Sequence, residues 1–459
     1  MRIPVDRDGP TPIWRQVAAA LRTEILSGAL PPGARLPSTR RLAADLSVSR
    51  ILVENAYAEL AADGLVEGRP GSGTFVAGAA PGRPVSTAPV DEVSFRGVGD
   101  PDLYPVKAMT NTIRDVVRRD GSAVLGYGAE VSGHPPLRAT IAQMLASQGI
   151  HVDPRDVLIT SGSQQGLALV FFALLRRGDP VVVERPTYDG ALELLANLGA
   201  EVIGVDVDRD GMRVDQLADI VSRHRPRLIY TVPTFQNPTG ASLAGDRRRR
   251  LLEIAESVDA VVVEDDFVGD LHYDGPTQPA LRSLASPGRV VYLGTFSKLL
   301  MPSVRVGYLV ADREPMERFV SMKRSLDLST SLLMQVALDR YLAVGRYQAH
   351  LARCARLYRP RRDALVAAVR RDLGWDVSPP TGGLFLWARL PSGLGSGALA
   401  DAAEKRGTGL AAGAPFFPDG VGGERFARLN FVVNGPERMR EGVRRLQLAV
   451  EDLHGPAQR

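Results

Sequence analysis

The chain has 459 residues, of which 44% are hydrophobic and 24% charged, and its formal net charge at pH 7 is +4. This composition is typical of a soluble globular protein with two or three domains, and the small net charge alone does not indicate a nucleic acid or a membrane as partner. The single cysteine, Cys354, excludes a disulfide within the chain, and six scattered histidines give no zinc-binding spacing, so we expect no metal site. The first residues lack an apolar signal core, and the longest apolar run, 166–175, is too short to cross a bilayer. We therefore expect a cytoplasmic protein that does not bind membranes.

The first 76 residues carry helical patterns. Apolar side chains recur at helical spacing near the start, which predicts one buried helical face: Ile13, Val17, Ala20, Leu21 and Ile25. Ser38 is a candidate cap for a helix from Thr39 to Leu46, and a tight turn at 47–49 leads into a second helix. Two short helices joined by a tight turn form a helix-turn-helix, and the glycine-rich stretch 64–77 predicts the hairpin of a wing. A helix-turn-helix also occurs as a purely structural unit, so the shape alone leaves a role in DNA binding open.

The stretches LPSTRRLAADLSVSR and AYAELAADGLVEGRPGSGTFV resemble the winged helix of the GntR family of bacterial regulators over nearly the whole of that domain. The resemblance implies contacts with double-stranded DNA by Arg40, Ser49, Arg50, Gly71, Ser72 and Gly73. Arginine pairs well with guanine in the major groove, and wing glycines let the backbone approach phosphates closely. Members of the family usually have polar residues after the Ser-Arg pair, whereas this chain has Ile51 and Leu52. We expect one of these two side chains to face the core and the other a thymine methyl group.

The charge of this first part is small. Residues 1–76 contain nine arginines and eight acidic residues, which gives a charge of only +1. Affinity for DNA depends heavily on the number of phosphates that basic side chains neutralise. We therefore expect one copy to bind DNA weakly, and two copies on one operator to bind more strongly through avidity.

Residues 77–94 contain prolines and small residues without a hydrophobic period, which predicts a linker. Beyond it, residues 95–459 alternate short β-branched runs with longer amphipathic stretches, from VLIT at 157–160 to RVVYLGT at 289–295. This alternation predicts a parallel β-sheet covered by helices. The chain is thus predicted to consist of an N-terminal DNA-binding domain, a linker and a large α/β domain.

Lys298, in the stretch GTFSKLL, is one of only four lysines among the 56 basic residues of the chain. It follows a predicted strand, and ligands of open α/β sheets gather at the carboxyl ends of strands. Arginine stays protonated and forms no stable imine, whereas a lysine amine with a lowered pKa does. Pyridoxal 5′-phosphate (PLP) requires such a lysine, an acid near its pyridine nitrogen and a cradle for its phosphate.

Candidates for the other parts of a PLP site lie on both sides of Lys298. Asp265 ends a predicted strand and is a candidate partner of the pyridine nitrogen. Ser163 and Gln164 follow another strand and open a helix, whose N-terminal amides and dipole favour phosphate. An aromatic that can stack on the ring, an amide in a proline-rich turn and a further phosphate partner complete the set: Tyr188, Asn237 and Arg305. Each residue alone is better explained as structural, but their order and spacing favour a cofactor site.

The motifs YG…SGHPPLR, TSGSQQGL, ERPTYDGA, QNPTGASL, VEDD and TFSKLLMPSVRVGY resemble, in this order, those of fold-type I aminotransferases of class I and II over most of the chain beyond the linker. The resemblance implies that Lys298 forms the internal aldimine of PLP and that Asp265 pairs with the pyridine nitrogen. It places Asn237 at the phenolic oxygen of PLP and Tyr188 on the face of the ring. It assigns the phosphate to a larger group: Ser163, Gln164, Thr295, Ser297 and Arg305, with Tyr127 contributed by the other subunit. Arg428 matches the arginine that binds a substrate carboxylate.

Phe267 departs from this pattern, because close relatives often have a tyrosine whose hydroxyl binds the phenolic oxygen of PLP. Phenylalanine keeps the bulk of the side chain but lacks the donor. We therefore expect the pKa of the bound cofactor to be shifted, with turnover altered as well.

A GntR-type winged helix, a proline-containing linker and an aminotransferase-like domain in one chain resemble the MocR subfamily of regulators. The resemblance implies a mostly α-helical winged helix-turn-helix with a β wing, joined to a fold-type I PLP domain. It implies a transcription factor that senses an amine, an amino acid or PLP through aldimine chemistry at Lys298, and a homodimer arranged head-to-tail. The alternative is a PLP-dependent aminotransferase with an accessory DNA-binding domain, since all the parts for transamination are present. The sequence identifies neither the effector, nor the operator, nor whether transcription is activated or repressed.

Overall fold

A computed structural model of the chain describes residues 6, 12–26, 29–31, 33–62, 65–69, 73–76, 92–97 and 99–454. The chain forms two compact units, Met1–Ala88 and Pro89–Arg459. Gly71, Ser72 and residues 77–91 of the predicted linker lie outside the described residues. The domain limits given above, 1–76 and 95–459, remain predictions.

The N-terminal unit has three helices and a hairpin: α1 (Ile13–Leu26), α2 (Thr39–Leu46), α3 (Arg50–Ala62), β1 (Val66–Arg69) and β2 (Gly73–Val76). α2 begins where predicted, because the Ser38 hydroxyl accepts a 3.2 Å hydrogen bond from the backbone amide of Arg41. Ser47 ends α2 in the left-handed conformation, with φ 50°. β1 and β2 pair antiparallel, with Val66 opposite Val76. The predicted helix-turn-helix and wing are confirmed.

α3 buries one face in the core of this unit. Its buried side chains recur at helical spacing and join a cluster that includes Val17 and Leu21 of α1: Val53, Ala56, Tyr57 and Leu60. The Tyr57 hydroxyl also donates a 2.7 Å hydrogen bond to the carbonyl of Pro37, just before α2. Burying one such apolar side chain stabilises the fold by roughly 1.5–3 kcal/mol. At the start of α3, by contrast, Arg50 and Ile51 are exposed.

The large unit alternates helices and strands. Its helices are α4 (Val106–Asp120), α5 (Pro135–Ser147), α6 (Ser163–Leu174), α7 (Asp189–Leu198), α8 (Val214–His224), α9 (Gly245–Ser257), α10 (Leu281–Leu284), α11 (Arg313–Asp327), α12 (Leu332–Ala343), α13 (Arg346–Ala368), α14 (Ser396–Lys405) and α15 (Pro436–His454). Its strands are β3 (Val93–Ser94), β4 (Val157–Thr160), β5 (Pro180–Arg185), β6 (Glu201–Asp208), β7 (Gly211–Met212), β8 (Leu228–Thr231), β9 (Val261–Asp266), β10 (Val290–Thr295), β11 (Gly307–Val310), β12 (Asp376–Val377), β13 (Phe385–Arg389), β14 (Thr408–Gly409), β15 (Ala411–Ala412) and β16 (Phe426–Asn430).

The main sheet has eight strands in the order β4-β11-β10-β9-β8-β5-β6-β7. The central run β6-β5-β8-β9-β10 is parallel, as predicted. β11 differs from the prediction, because it runs antiparallel to both of its neighbours, and the edge strand β7 is antiparallel to β6. Only residues 296–306 connect β10 to β11, and they contain no α-helix that could carry the chain back across the sheet for a parallel pairing.

Both faces of the main sheet are buried. Successive residues of β9, Val262 and Val263, belong to two different apolar clusters. Val262 packs in a cluster with α8 and α9, whereas Val263 packs in the larger cluster that contains α6. Covering on both faces explains why these strands read as continuous apolar runs rather than as alternating ones.

The chain adds a smaller antiparallel sheet in the order β12-β13-β16-β15. β3 pairs in parallel with β14, with Val93 opposite Thr408, so the last two residues of the predicted linker are structured within the large unit. Within the described ranges, no helix has the length and apolar character to cross a membrane. The same residues contain no group of three or more His, Cys, Asp and Glu side chains that could hold a metal ion.

Candidate functional site

Lys298 lies in the loop that follows β10, at the carboxyl edge of the parallel strands. Burial lowers the pKa of its amine, and the positive charges of Arg428 and Arg305 lower it further, while Asp265 acts in the opposite direction. These influences place three other predicted site residues, Arg428, Arg305 and Asp265, near the Lys298 amine. A lowered pKa raises the fraction of neutral amine, which is the form that attacks a carbonyl carbon.

Asp265 lies on β9 with its carboxylate buried beside Lys298. Burial raises its pKa to about 7, while a hydrogen bond from Tyr230 and the charge of Lys298 favour the ionised form. The Tyr230 hydroxyl donates to Oδ2 at 2.9 Å. The other oxygen, Oδ1, is buried and has no hydrogen-bond partner among the described residues. A buried acceptor of this kind fits the protonated ring nitrogen of PLP, which supplies both a donor and a positive charge.

The residues predicted to form the phosphate cradle lie at and near the start of α6, where Ser163 and Gln164 contribute the first turn. The first amides of a helix have no partners within it and favour an anion. Ser297 contributes a buried hydroxyl without a hydrogen-bond partner in the described part of the chain, and its amide donates to the Thr295 hydroxyl at 3.1 Å. Arg305 lies beside the start of α6, because its Nη2 donates to the carbonyl of Ser161 at 2.8 Å. These groups fit a phosphate.

Close packing in the cradle requires glycine at one position. Gly162 has φ 104°, in the region that favours glycine, and a Cβ there would lie 2.9 Å from Nη2 of Arg305. Any side chain at residue 162 would therefore displace the arginine predicted to bind phosphate. The cradle depends on this glycine as well as on the polar groups.

Tyr188 and Gln164 contact each other. The Tyr188 hydroxyl donates a 3.0 Å hydrogen bond to Oε1 of Gln164, whose Nε2 donates to the carbonyl of Gly190 at 3.0 Å. The side-chain amide of Gln164 thus holds the Tyr188 loop, while its backbone lies in the first turn of α6. Burial raises the pKa of Tyr188 to about 12, so its hydroxyl stays protonated and acts as a donor.

Arg428, on β16, is buried between two aromatic rings, 4.2 Å from the centre of Phe385 and 4.8 Å from that of Phe416. Its Nη1 donates to Oδ1 of Asn237 at 2.7 Å. Its Nε is buried without a hydrogen-bond partner among the residues described. Burial lowers the pKa of the guanidinium to about 10. A buried guanidinium with an unsatisfied donor fits a ligand carboxylate.

The structure places two further residues singled out from the sequence, Phe267 and Tyr127, in contrasting environments. Phe267 is buried, and its ring stacks on Phe385 with centres 6.2 Å apart, which keeps the aromatic bulk beside the site without a donor. Tyr127 lies on the surface with its side chain 80% exposed. The single chain does not bring Tyr127 into the cradle, and its contribution from another subunit remains a prediction.

In the N-terminal unit the described candidates for DNA contact are exposed: Arg40, Ser49, Arg50 and Gly73. Gly71 and Ser72 lie outside the described residues. Arg50 forms a 2.7 Å ion pair with Glu54, one turn along α3. Ile51 is 67% exposed, whereas Leu52 is half-buried. Of the two apolar residues, Ile51 is therefore the one available to a partner.

Sequence reasoning missed a buried acid that ties two site loops together. Glu184, at the end of β5, accepts hydrogen bonds from the Thr231 hydroxyl at 2.6 Å and from Nε2 of Gln236 at 3.1 Å. Gln236 also donates to the carbonyl of Pro186 at 2.7 Å, which links the loop of Asn237 to the loop of Tyr188. Burial raises the pKa of Glu184 to about 7. An acid that follows three valines in PVVVER was the available signal for such a network.

The fold and this site define a PLP-binding domain of the aminotransferase type, joined to a winged helix. Residues 97–411 match the family Aminotransferase class I and II, and residues 14–76 match the bacterial regulatory proteins of the GntR family. The chain is 34% identical over 475 residues to "Probable rhizopine catabolism regulatory protein MocR" of Rhizobium meliloti, covering 97% of this chain and 95% of the relative. It is 32% identical to the HTH-type transcriptional regulator TauR of Rhodobacter capsulatus, covering 93% of this chain and 94% of the relative.

A solved structure supports the cofactor. The α-aminoadipate aminotransferase LysN of Thermus thermophilus, complexed with N-(5′-phosphopyridoxyl)-L-leucine, is 35% identical with a TM-score of 0.75, over 80% of this chain and 93% of that structure. The chain belongs to the MocR subfamily of GntR-type regulators, with an aminotransferase class I and II domain. It is a DNA-binding regulator whose large domain takes pyridoxal 5′-phosphate as cofactor.

Proposed function

We propose that an amine, an amino acid or PLP itself controls DNA binding by this chain through Lys298. The observation that carries the proposal is the environment of the Lys298 amine. Burial and two neighbouring arginines lower its pKa, so that the amine is neutral more often than an exposed lysine. Bound PLP supplies an aldehyde that combines with primary amines.

When PLP is bound, Lys298 would be the residue that holds it, and an effector amine would compete with Lys298 for that place. Displacement would leave the Lys298 amine free between Asp265 and the two arginines, where burial and the arginine charges favour its neutral form. Asp265 holds the ring nitrogen through Oδ1, and the Ser163, Ser297 and Arg305 cradle holds the phosphate. An effector that binds one conformation better than another shifts the population toward it, and this shift reaches the DNA-binding domain.

Among amine effectors, Arg428 favours those that also carry a carboxylate, and PLP itself is the other candidate effector. Its unsatisfied Nε and its position between two aromatic rings support a planar, charge-assisted contact. The screen that tests the proposal follows the absorption spectrum of the PLP-loaded protein and its DNA binding across amines and amino acids. Compounds that change both are expected, and Lys298→Ala is expected to lose the coupled response. A protein whose DNA binding ignores every compound that changes its spectrum contradicts the proposal.

The regulator acts as a homodimer, head-to-tail, with each DNA-binding domain associated with the large domain of the other chain. Tyr127 is 80% exposed and the nearby Leu125 is 65% exposed, which supports a protein partner at this surface. Arg40, Ser49 and Arg50 contact the operator, with the wing at Gly71 to Gly73 in the minor groove. Two domains on one operator compensate for the charge of only +1 in residues 1–76.

The second candidate is a PLP-dependent aminotransferase with an accessory DNA-binding domain. The complete set of Lys298, Asp265 and Arg428 favours it, because turnover of an amino acid with a keto acid needs the same groups. Steady-state production of keto acid distinguishes the two functions. Multiple turnovers with an amino acid would favour the enzyme, whereas effector-dependent DNA binding without turnover would favour the regulator.

A further inference from the structure

A second lysine is buried beside the phosphate cradle. Lys323, on α11, is fully buried, with 0% of its side chain exposed. Its Nζ donates to both oxygens of Asp327, at 2.7 and 2.8 Å, and to the Thr330 hydroxyl at 3.1 Å. A buried ammonium is very unfavourable unless it is paired and hydrogen-bonded, and here all three of its donors have acceptors.

The partner carboxylate continues directly into the cradle. Oδ2 of Asp327 accepts hydrogen bonds from Nε2 of Gln165 at 2.7 Å and from the Ser161 hydroxyl at 3.2 Å. Oε1 of Gln165 accepts the backbone amide of Ser161 at 2.8 Å. Arg305 donates to the carbonyl of the same Ser161. The segment 161–165, which opens α6, is therefore fixed from the rear by the Lys323–Asp327 pair and along its backbone by Arg305.

The turn after α11 has a strained backbone conformation at Leu328, between two residues that bind Lys323. Leu328 has φ 61° and ψ −53°, and the amide of Ser329 donates to the carbonyl of Asp327 at 2.6 Å, which makes a γ-turn of the rare, strained type. The Leu328 side chain is 56% exposed, so its own packing does not account for the conformation. Strained backbone persists where the surroundings fix it. Here the turn directs Asp327 and Thr330 toward the same ammonium.

We propose that Lys323 is a positioning residue for the phosphate of PLP. It acts through Asp327 and Gln165, which hold Ser161 and the first turn of α6 in the geometry that binds phosphate. The proposal rests on PLP as the cofactor and is independent of any sensing role. It explains a lysine in a chain that otherwise favours arginine, since an ammonium is a compact charge and a guanidinium is a larger planar fork.

The test compares PLP with pyridoxal, which has the same ring and aldehyde but no phosphate. Dissociation constants of both are measured for the full chain and for Lys323→Met, with Lys107→Met as the matched control because Lys107 is exposed. We expect the PLP constant of Lys323→Met to rise roughly 10- to 100-fold, the range for weakening one hydrogen bond to a charged group, while the pyridoxal constant changes less than about twofold. The ³¹P resonance of bound PLP should also move in Lys323→Met and stay in place in Lys107→Met.

If Lys323→Met binds PLP and pyridoxal more weakly by the same factor, Lys323 only supports the fold. If both dissociation constants are unchanged, the cradle forms without Lys323. Either result overturns the proposal. If Lys323→Met does not fold, the same two constants are measured for Gln165→Met. This variant removes the side-chain amide that joins Asp327 to the backbone amide of Ser161, and it leaves the Lys323–Asp327 pair intact.

Discussion

Removing the Tyr230 hydroxyl should weaken PLP binding in a pH-dependent way. Tyr230 donates to Oδ2 of Asp265 at 2.9 Å, and both side chains are buried. Burial already raises the pKa of Asp265 to about 7, and the hydrogen bond from Tyr230 is the largest influence that opposes this rise. In Tyr230→Phe the carboxylate loses that donor, so the pKa of Asp265 rises further and the carboxyl is neutral at higher pH.

The size of the effect follows from the hydrogen bond. A hydrogen bond to a charged group contributes about 1.5–3 kcal/mol, which corresponds to roughly a 10- to 100-fold change in the protonation equilibrium. The ring nitrogen of PLP needs an ionised Asp265. At about pH 7.5 the ionised fraction, and with it the affinity for PLP, should therefore fall roughly 3- to 25-fold. At about pH 9.5 Asp265 is mostly ionised in both proteins, and the difference should be less than about twofold.

The assay is the dissociation constant of PLP across this pH range. Tyr292→Phe is the matched control, since the Tyr292 hydroxyl donates at 2.7 Å to Asp266, the neighbour of Asp265. It removes a part-buried tyrosine–carboxylate hydrogen bond without touching the acid predicted to bind the ring. If the PLP dissociation constants of Tyr230→Phe and the unmodified chain differ by the same factor at every pH, the reasoning is refuted. An equally large change of this constant in Tyr292→Phe would refute it as well.

Three further predictions concern single residues. Phe267→Tyr restores a donor for the phenolic oxygen and should lower the pH at which bound PLP changes its absorption. Identical spectroscopic titrations of Phe267→Tyr and the unmodified chain would show that residue 267 is not at that oxygen. Ile51 should contact a thymine methyl group, so replacing that thymine by uracil in a selected operator should cost roughly fourfold in affinity for the unmodified chain, but nothing for Ile51→Ala. Leu52→Ala should lose affinity on the thymine-to-uracil replacement as the unmodified chain does. In the PLP-free protein the raised pKa of Asp265 makes the folded state hold its proton more tightly than the unfolded state does, so the free energy of unfolding should fall as pH rises from about 4 to 7. Measured by urea denaturation, the free energy of unfolding of Asp265→Asn relative to the unmodified chain should increase over that window and then stay constant.

Features set by local chemistry were predictable from the sequence. The cap at Ser38 and the bounds of α2 follow from residues within one turn of each other. The parallel core of the sheet follows from apolar runs separated by helical stretches. The antiparallel β11 was also within reach, because the short connection at 296–306 leaves no room for a helical crossover.

Features set by contacts between distant residues were not predictable. Tyr230 reaches Asp265 because β8 and β9 are neighbours in register, and in the sequence it was one aromatic within an apolar strand. In the Lys323 network only the pair Lys323–Asp327, four residues apart on α11, has a spacing that indicates a contact. The bonds from Asp327 to Gln165 and from Glu184 to Gln236 join distant parts of the chain, and the sequence does not indicate these partners. The residues that chemistry requires could be named from motifs, whereas the residues that hold them depend on the packed fold.

The central claim is that occupation of Lys298 by PLP, or its release, controls DNA binding. The most direct measurement is operator binding by the PLP-loaded chain and by Lys298→Ala, titrated with an amine that changes the PLP spectrum, while keto acid is monitored in the same samples. We predict that the amine changes operator affinity of the unmodified chain without steady-state keto acid, and that Lys298→Ala no longer responds. An operator affinity that stays constant while the spectrum changes, or one that responds equally in Lys298→Ala, would contradict the account.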